Sequence, residues 1–289
     1  MRAPSRSIHA ADGTRLALRE VGEGPDLVLV NGLSTSDFFW RRLEAHWSQR
    51  NRLVIWDYKG HGSSEPARSP QGCTIPAMVD DLRRVMDATA VERATLVGFS
   101  VGCQVVAEAW RRMPERINGM ALLLGPVGRL FDTALRPVAG PLLRQMFLRM
   151  PARFLPPAFG VAHRVSRLPG STVAGRLFRL YGRAAGADLR QYVDHFGRLD
   201  PATVKAMALA GGEHDAWDVL PTITVPTLVA TGDRDVFAPS RTVGLRIHAA
   251  IPGARLLEIP GGTHLGILED ADLIGPAVDE LLAEIERTQ

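Results

Sequence analysis

Residues 94–102 read Ala94-Thr95-Leu96-Val97-Gly98-Phe99-Ser100-Val101-Gly102. The opening run is apolar and β-branched and does not alternate with polar residues. That is how a short strand buried on both faces reads. From Val101 to Arg112 the apolar spacing turns helical. A strand that passes into a helix across Gly98-Phe99-Ser100-Val101-Gly102 leaves room only for a tight, strained turn. Such a turn lifts the Ser100 hydroxyl clear of the sheet. Gly98 and Gly102 suit a close approach of strand and helix, where any side chain would clash. The backbone N–H of Val101 then points at the oxyanion of an attacked carbonyl. A Gly-x-Ser-x-Gly pentapeptide also recurs by chance, and its position between strand and helix is what gives it weight.

Working outward, similar buried runs occur at 26–30, 53–56, 120–124, 227–231 and 255–259. Helical patterns fill 40–48, 75–90, 101–112 and 270–287. In the second, Met78, Val79, Leu82, Val85 and Met86 share one face, with Asp80, Asp81, Arg83 and Arg84 on the other. Alternating strand and helix predicts an α/β fold on a mostly parallel, doubly wound sheet. Before the first buried run, 6–10 and 15–19 flank Asp12-Gly13, a hairpin signal that predicts an antiparallel N-terminal edge.

The composition agrees with a globular chain. Of 289 residues, 46% are hydrophobic and 22% charged, with a net charge of +3. Disordered, collagen-like and disulfide-rich classes are excluded, the last because only two cysteines, Cys73 and Cys103, are present. No apolar run reaches the ~18 residues of a membrane span. The N-terminus carries early arginines but no apolar h-region, so a cytoplasmic location with reduced, structural thiols is expected. No metal-ligand spacing is present, and no cofactor is expected.

A serine hydroxyl needs a base, and the base needs an orienting group. His264 lies in Gly261-Gly262-Thr263-His264, just after the last buried run, and Asp235 lies in Gly232-Asp233-Arg234-Asp235-Val236-Phe237-Ala238-Pro239, just after the one before. The order Ser100, Asp235, His264 is that of hydrolases on doubly wound sheets. Asp233 competes with Asp235 as the acid. His61 stands between two glycines and is a candidate base.

These motifs resemble the α/β-hydrolase fold family in its lid-bearing esterase and lactonase branch. The likeness covers most of the chain and includes Asp57-Tyr58-Lys59-Gly60-His61-Gly62-Ser63-Ser64, similar to the family turn Asp-x-Arg-Gly-x-Gly-x-Ser with Lys59 where Arg is usual. Lysine there should weaken a bidentate structural contact and leave the chemistry untouched. The family pattern selects Asp235 as the acid, makes Asp233 a turn residue and makes the turn around His61 structural. It also implies an oxyanion loop at Val30-Asn31-Gly32-Leu33, where the Leu33 N–H is the second donor beside that of Val101. Gly32 lets the backbone approach the carbonyl. Asn31 replaces the usual His, as in some enol-lactonase-like and signalling members.

The stretch 126–215 breaks the rhythm, being Pro-interrupted, Arg-rich and without a buried run. A structureless loop of that length is improbable in a compact domain, so a helical lid is expected. The core is then 1–125 together with 216–289. The insertion holds 13 basic and six acidic residues, a balance of +7 against −4 elsewhere, and six of the ten Phe. An apolar pocket wall with solvated arginines is the favoured reading, and contact with an anionic lipid surface the lesser one. No nucleic-acid motif accompanies the arginines. His163, His195 and His214 fall in this lid and read as packing residues. His9, His46 and His248 stand alone. Asp270 and Asp272 open the last helix, and Glu108, Arg111 and Arg112 read as a solvated face.

The resulting expectation is a serine hydrolase of carboxylic esters or lactones, with a small-molecule substrate bearing an apolar acyl part. Oligomeric state has no signal in the sequence. A C–C bond hydrolase or acyltransferase with the same residues stands as one alternative. A hydrolase-fold receptor with slow turnover stands as the other.

Overall fold

The computed structural model describes residues 6–133, 139–151 and 186–288, with Phe154, Gly160, Val161, Arg164, Leu168 and Gly182. Eight strands form one sheet: β1 (Arg6–His9), β2 (Arg15–Val21), β3 (Asp26–Val30), β4 (Arg52–Trp56), β5 (Ala94–Phe99), β6 (Ile117–Leu123), β7 (Thr227–Gly232) and β8 (Arg255–Ile259). Their order is β1-β2-β4-β3-β5-β6-β7-β8. Pairings β1–β2 and β2–β4 are antiparallel and the rest parallel, so the expected antiparallel edge is present.

The helices are α1 (Arg41–Trp47), α2 (Ile75–Ala88), α3 (Val101–Arg112), α4 (Leu130–Thr133), α5 (Ala139–Arg149), α6 (Gly186–Phe196), α7 (Pro201–Glu213), α8 (Gly244–Ala250), α9 (Gly266–Glu269) and α10 (Ala271–Thr288). They cover both faces. Val28 and Val30 of β3 pack with α2 and α3, whereas Leu27 and Leu29 pack with α1 and α10. Both sides of the strand are therefore dry, which is why its sequence does not alternate.

β6 begins three residues before the expected run at 120. Asn118-Gly119 reads as a turn, but the register shifts between Ala94 and Thr95 and absorbs the extra residue as an irregularity. The Thr95 hydroxyl donates to Asn118 Oδ1 at 2.9 Å.

The chain runs from β3 outward to β4, then returns to the other side of β3 as β5. The loops after β3 and β5 thus open beside each other at a topological switch point, where sheets of this kind bind ligands. Between β6 and β7 the chain leaves the sheet and forms α4, α5, α6 and α7. At its base the Ala216 N–H donates to the Val127 carbonyl at 3.1 Å. Much of the expected lid between 152 and 185, His163 included, lies outside the described residues. No helix among the described residues is long and apolar enough to cross a membrane.

Two surface expectations need correction. Glu108 is buried, not solvated, because the C-terminal end of α7 closes over α3. His214 Nε2 lies 3.1 Å from its carboxylate, and Arg111 pairs with it. His46 does not stand alone either: its Nε2 lies 2.6 Å from Asp279 Oδ2, linking α1 to α10.

Candidate active site

Ser100 stands between β5 and α3 with φ 54° and ψ −122°, a left-handed conformation that costs a non-glycine residue of order 1–3 kcal/mol. The strain is held by close packing on both sides. A Cβ on Gly102 would fall 2.3 Å from the Val30 carbonyl oxygen, and one on Gly98 would fall 2.6 Å from the Gly102 carbonyl oxygen. Only glycine lets α3 start this near β3 and β5.

The hydroxyl so presented meets a ring. Ser100 Oγ lies 2.9 Å from His264 Nε2, and His264 Nδ1 lies 2.8 Å from Asp235 Oδ2. If the ring Nδ1–H donates to the carboxylate, Nε2 is left to accept the Ser100 proton. The Asp235 carboxylate is itself held, since Oδ1 accepts the N–H groups of Phe237 and Ala238 at 2.8 and 2.9 Å. Phe237 and Phe99 flank the imidazole, with ring centroids 4.9 and 5.3 Å away. Asp233 is exposed and only its N–H turns inward, to the Ile259 carbonyl.

The loop after β3 packs against this group. A Cβ on Gly32 would stand 3.0 Å from Ser100 Cβ. Leu33 lies within the turn closed by the Thr35 N–H and hydroxyl on the Gly32 carbonyl, at 3.4 and 3.0 Å. Val101 is the first residue of α3, so its N–H has no partner within the helix. Asn31 turns into the core: its Nδ2 donates to the Trp56 carbonyl at 2.6 Å, and its Oδ1 accepts from Trp40 Nε1 at 2.7 Å. The carboxamide therefore ties the loop to β4 and to the 3-10 turn Asp37–Trp40.

The turn at 57–64 supports the same loop. Asp57 accepts the N–H groups of Asp37 and Ser63 at 3.0 and 3.1 Å. Burial, with the Asp37 charge adding, raises its pKa to about 7. The His61 ring donates from Nδ1 to the Lys59 carbonyl at 2.8 Å and accepts the Ser34 N–H at Nε2 at 3.1 Å. Burial lowers its pKa to about 4, so it is a neutral strut with both nitrogens occupied. Lys59, in the position usual for Arg, is buried and reaches Asp81, Asp12 and the Gly72 carbonyl at 3.1, 3.3 and 3.2 Å. A point charge meets three separate acceptors there, with no bidentate fork.

Sequence reasoning did not find Thr35 or the Asp57–Asp37 contact, because neither side chain has a spacing that announces it. No group of three or more His, Cys, Asp or Glu suited to a metal ion occurs among the described residues. What the arrangement can perform is acyl transfer. A hydroxyl faces a ring nitrogen, the ring is braced by a buried carboxylate, and the Val101 N–H has no partner within its helix.

The sequence model of the alpha/beta hydrolase fold family matches residues 25–271. An uncharacterised protein of Mycobacterium tuberculosis is 24% identical over 281 residues, covering 92% of this chain and 78% of its own length. The enol-lactonase of Burkholderia xenovorans LB400 superposes with a TM-score of 0.76 at 26% identity, covering 97% of this chain and 100% of that one. An esterase from Thermogutta terrifontis has the same fold, with a TM-score of 0.76 at 22% identity over 98% of this chain and 99% of that one. With its sheet order, its switch-point serine turn and this match over most of its length, the chain belongs to the α/β hydrolase fold family and is a hydrolase.

Proposed function

We propose that the protein is a serine hydrolase that cleaves a carboxylic ester or lactone through an acyl-enzyme. One observation carries this reading: the continuous hydrogen-bonded chain from Ser100 Oγ through His264 to Asp235, at 2.9 and 2.8 Å. Ser100 attacks the carbonyl while His264 Nε2 takes its proton. Asp235 keeps the ring in the tautomer that can accept at Nε2 and stabilises the imidazolium that forms. The N–H groups of Leu33 and Val101 receive the oxyanion, and Gly32 leaves room for the carbonyl to reach them. His264 returns the proton to the departing alcohol. Water, activated by the same ring, then releases the acid.

The segment 126–215 is the lid over a core made of 1–125 and 216–289, and it lines the part of the pocket that takes an apolar acyl group. The supporting relatives include an enol-lactonase at 26% identity, which favours adding lactones to the substrate panel.

The test is an acyl-length series of p-nitrophenyl esters set beside a lactone panel, run on wild type and on Ser100→Ala. Multiple turnover by the wild type and none by the variant, with melting unchanged, is the expected result. Wild-type rates in Ser100→Ala would remove the assignment. A single turnover with no recycling would make the protein a receptor. A product formed only with an added alcohol or a vinylogous diketone would move it to acyl transfer or C–C cleavage.

A further inference from the structure

The turn that presents His264 is held on two sides. On one side it leans on the loop of Asp235, where the Arg234 N–H donates to the Gly262 carbonyl at 3.0 Å. On the other stands Glu269, the last residue of α9. The buried Thr263 hydroxyl donates to Glu269 Oε2 at 2.8 Å and accepts the Leu265 N–H at 3.3 Å. A carboxylate can only accept, so the one hydroxyl proton points to Glu269 and a lone pair is left for Leu265. His264 lies between the two residues that this hydroxyl joins. α9 grows directly out of the same turn: the Gly266 N–H donates to the Thr263 carbonyl at 3.1 Å, and the Glu269 N–H to the Leu265 carbonyl at 3.0 Å.

The second oxygen of the carboxylate reaches beyond the turn. Glu269 Oε1 accepts the N–H of Gly182, 87 residues away, at 2.8 Å. Gly182 belongs to the excursion between β6 and β7, in the stretch that joins α5 to α6. The approach is close, since a Cβ on Gly182 would stand 3.3 Å from both Glu269 Oε2 and Thr263 Cγ2. One carboxylate thus bonds the turn of the imidazole through one oxygen and the excursion through the other.

We propose that Glu269 is a positioning residue for His264: through Thr263 it fixes the turn from which the ring projects, and through Gly182 it makes that turn depend on how the excursion is docked. The inference rests on the acyl-transfer reading of the site. A general base works only within hydrogen-bond reach of the proton it takes, and Ser100 Oγ stands 2.9 Å from the ring. A small displacement of the turn therefore slows the chemical step and leaves the contacts that bind the ester in place.

The experiment reads kcat and KM on a short p-nitrophenyl ester. Glu269→Ala removes the carboxylate, Thr263→Val removes the hydroxyl at constant shape, and Thr263→Ser restores it. Each of the first two should lose about tenfold in kcat with KM within about twofold, and Thr263→Ser should recover most of the loss. The double variant Thr263→Val/Glu269→Ala should fall within about twofold of Thr263→Val alone, because both changes cut one chain of contacts. Gly182→Pro removes the N–H from the excursion. It should lower kcat by several-fold where Glu269 is present and by less than about twofold in Glu269→Ala. Glu269→Gln, with one acceptor oxygen for two donors, shares the expectation for Ala and serves in its place where Ala does not fold.

Unchanged kcat in the Glu269 and Thr263→Val variants overturns the inference. So does a loss confined to KM, a Ser variant no better than Val, or losses that multiply in the double variant. No loss from Gly182→Pro, or an equal loss in both backgrounds, overturns the link to the excursion. Labelling of wild type by a fluorophosphonate is the separate control. A wild type that takes the label and turns over ester beside an unaffected Glu269→Ala removes this inference alone. A wild type that does neither removes the acyl-transfer reading and this inference with it.

Discussion

Trp40 donates its indole N–H to the side-chain oxygen of Asn31 at 2.7 Å, and the other end of that carboxamide donates to the Trp56 carbonyl at 2.6 Å. Asn31 therefore uses both polar ends inside the core, and the loop after β3 starts from an anchored residue. Asn31→Ala strands an indole N–H and a backbone carbonyl, each costing roughly 1–3 kcal/mol when buried unpaired. The expected result is a drop in melting temperature together with a lower kcat. A variant of unchanged Tm would show that water or a shifted Trp40 replaces the amide.

Asp235 and Asp233 lie two residues apart and differ in burial and in partners. Asp235→Asn keeps an oxygen for Phe237 and Ala238 but offers an amide where the ring N–H needs an acceptor. It should lower kcat by about 10⁴ with the fold intact, as wrong-tautomer variants of such triads do. Asp233→Asn should leave kcat within about twofold. Equal effects from the two changes would contradict the assignment of the acid, read from ester hydrolysis rates.

The neutral His61 strut gives a signed pH dependence. Its folded pKa, about 4, lies below its ordinary 6.5, so the unfolded chain binds more protons between those values. Stability from the neutral ring is complete above about pH 6.5 and is lost as pH falls toward 4, at about 1.4 kcal/mol per unit of pKa difference. His195 acts in the same direction, and the raised carboxyls of Asp57 and Asp81 act in the opposite one. The difference between wild type and His61→Gln isolates the one ring. That difference should shrink as urea titrations move from pH 7 to pH 4.5, and parallel curves would count against it.

Both cysteines are buried and free, and burial pushes the Cys73 thiol to about 11 and the Cys103 thiol higher still. Cys103 Sγ faces the carbonyls of Gly98 and Leu123 at 3.4 and 3.6 Å, directly behind the serine turn. A disulfide reagent at pH 8 should therefore release no thiol chromophore from native protein within minutes, and two equivalents in guanidinium. Ester hydrolysis should survive an alkylating agent and be lost to a phosphonate. Rapid native labelling would show that the sheet's interior opens.

Much of this molecule can be read locally. β3 and β5 declare themselves because both faces of each are buried, and Ser100 does so because two glycines mark where helix and strand must nearly touch. Other features were silent. Glu108 reads as solvated because its cover, His214, is 106 residues away. Asn31 gives no hint that its partners are two tryptophans from other elements. Lys59 could be flagged as a departure from the usual arginine, yet its acceptors, Asp12 and Asp81, were set only by the fold. Polar contacts across the sheet's edges leave no periodicity, and nothing in their own segments names the partner.

The hydrogen bond from Ala216 to Val127 closes the excursion between β6 and β7 at its neck. Those strands are direct neighbours, paired from Met120 with Thr227. The chain thus departs and returns at nearly one point, with Ser100 already threaded before it and Asp235 and His264 still to come. Loop-closure entropy rises only with the logarithm of length, so the neck tolerates excursions of very different size at little cost in stability. In evolutionary terms the segment above it is exchangeable cargo. On the proposed function, selection can rewrite its arginines and phenylalanines, and with them the choice of substrate, while Ser100, His264 and Asp235 keep their distances.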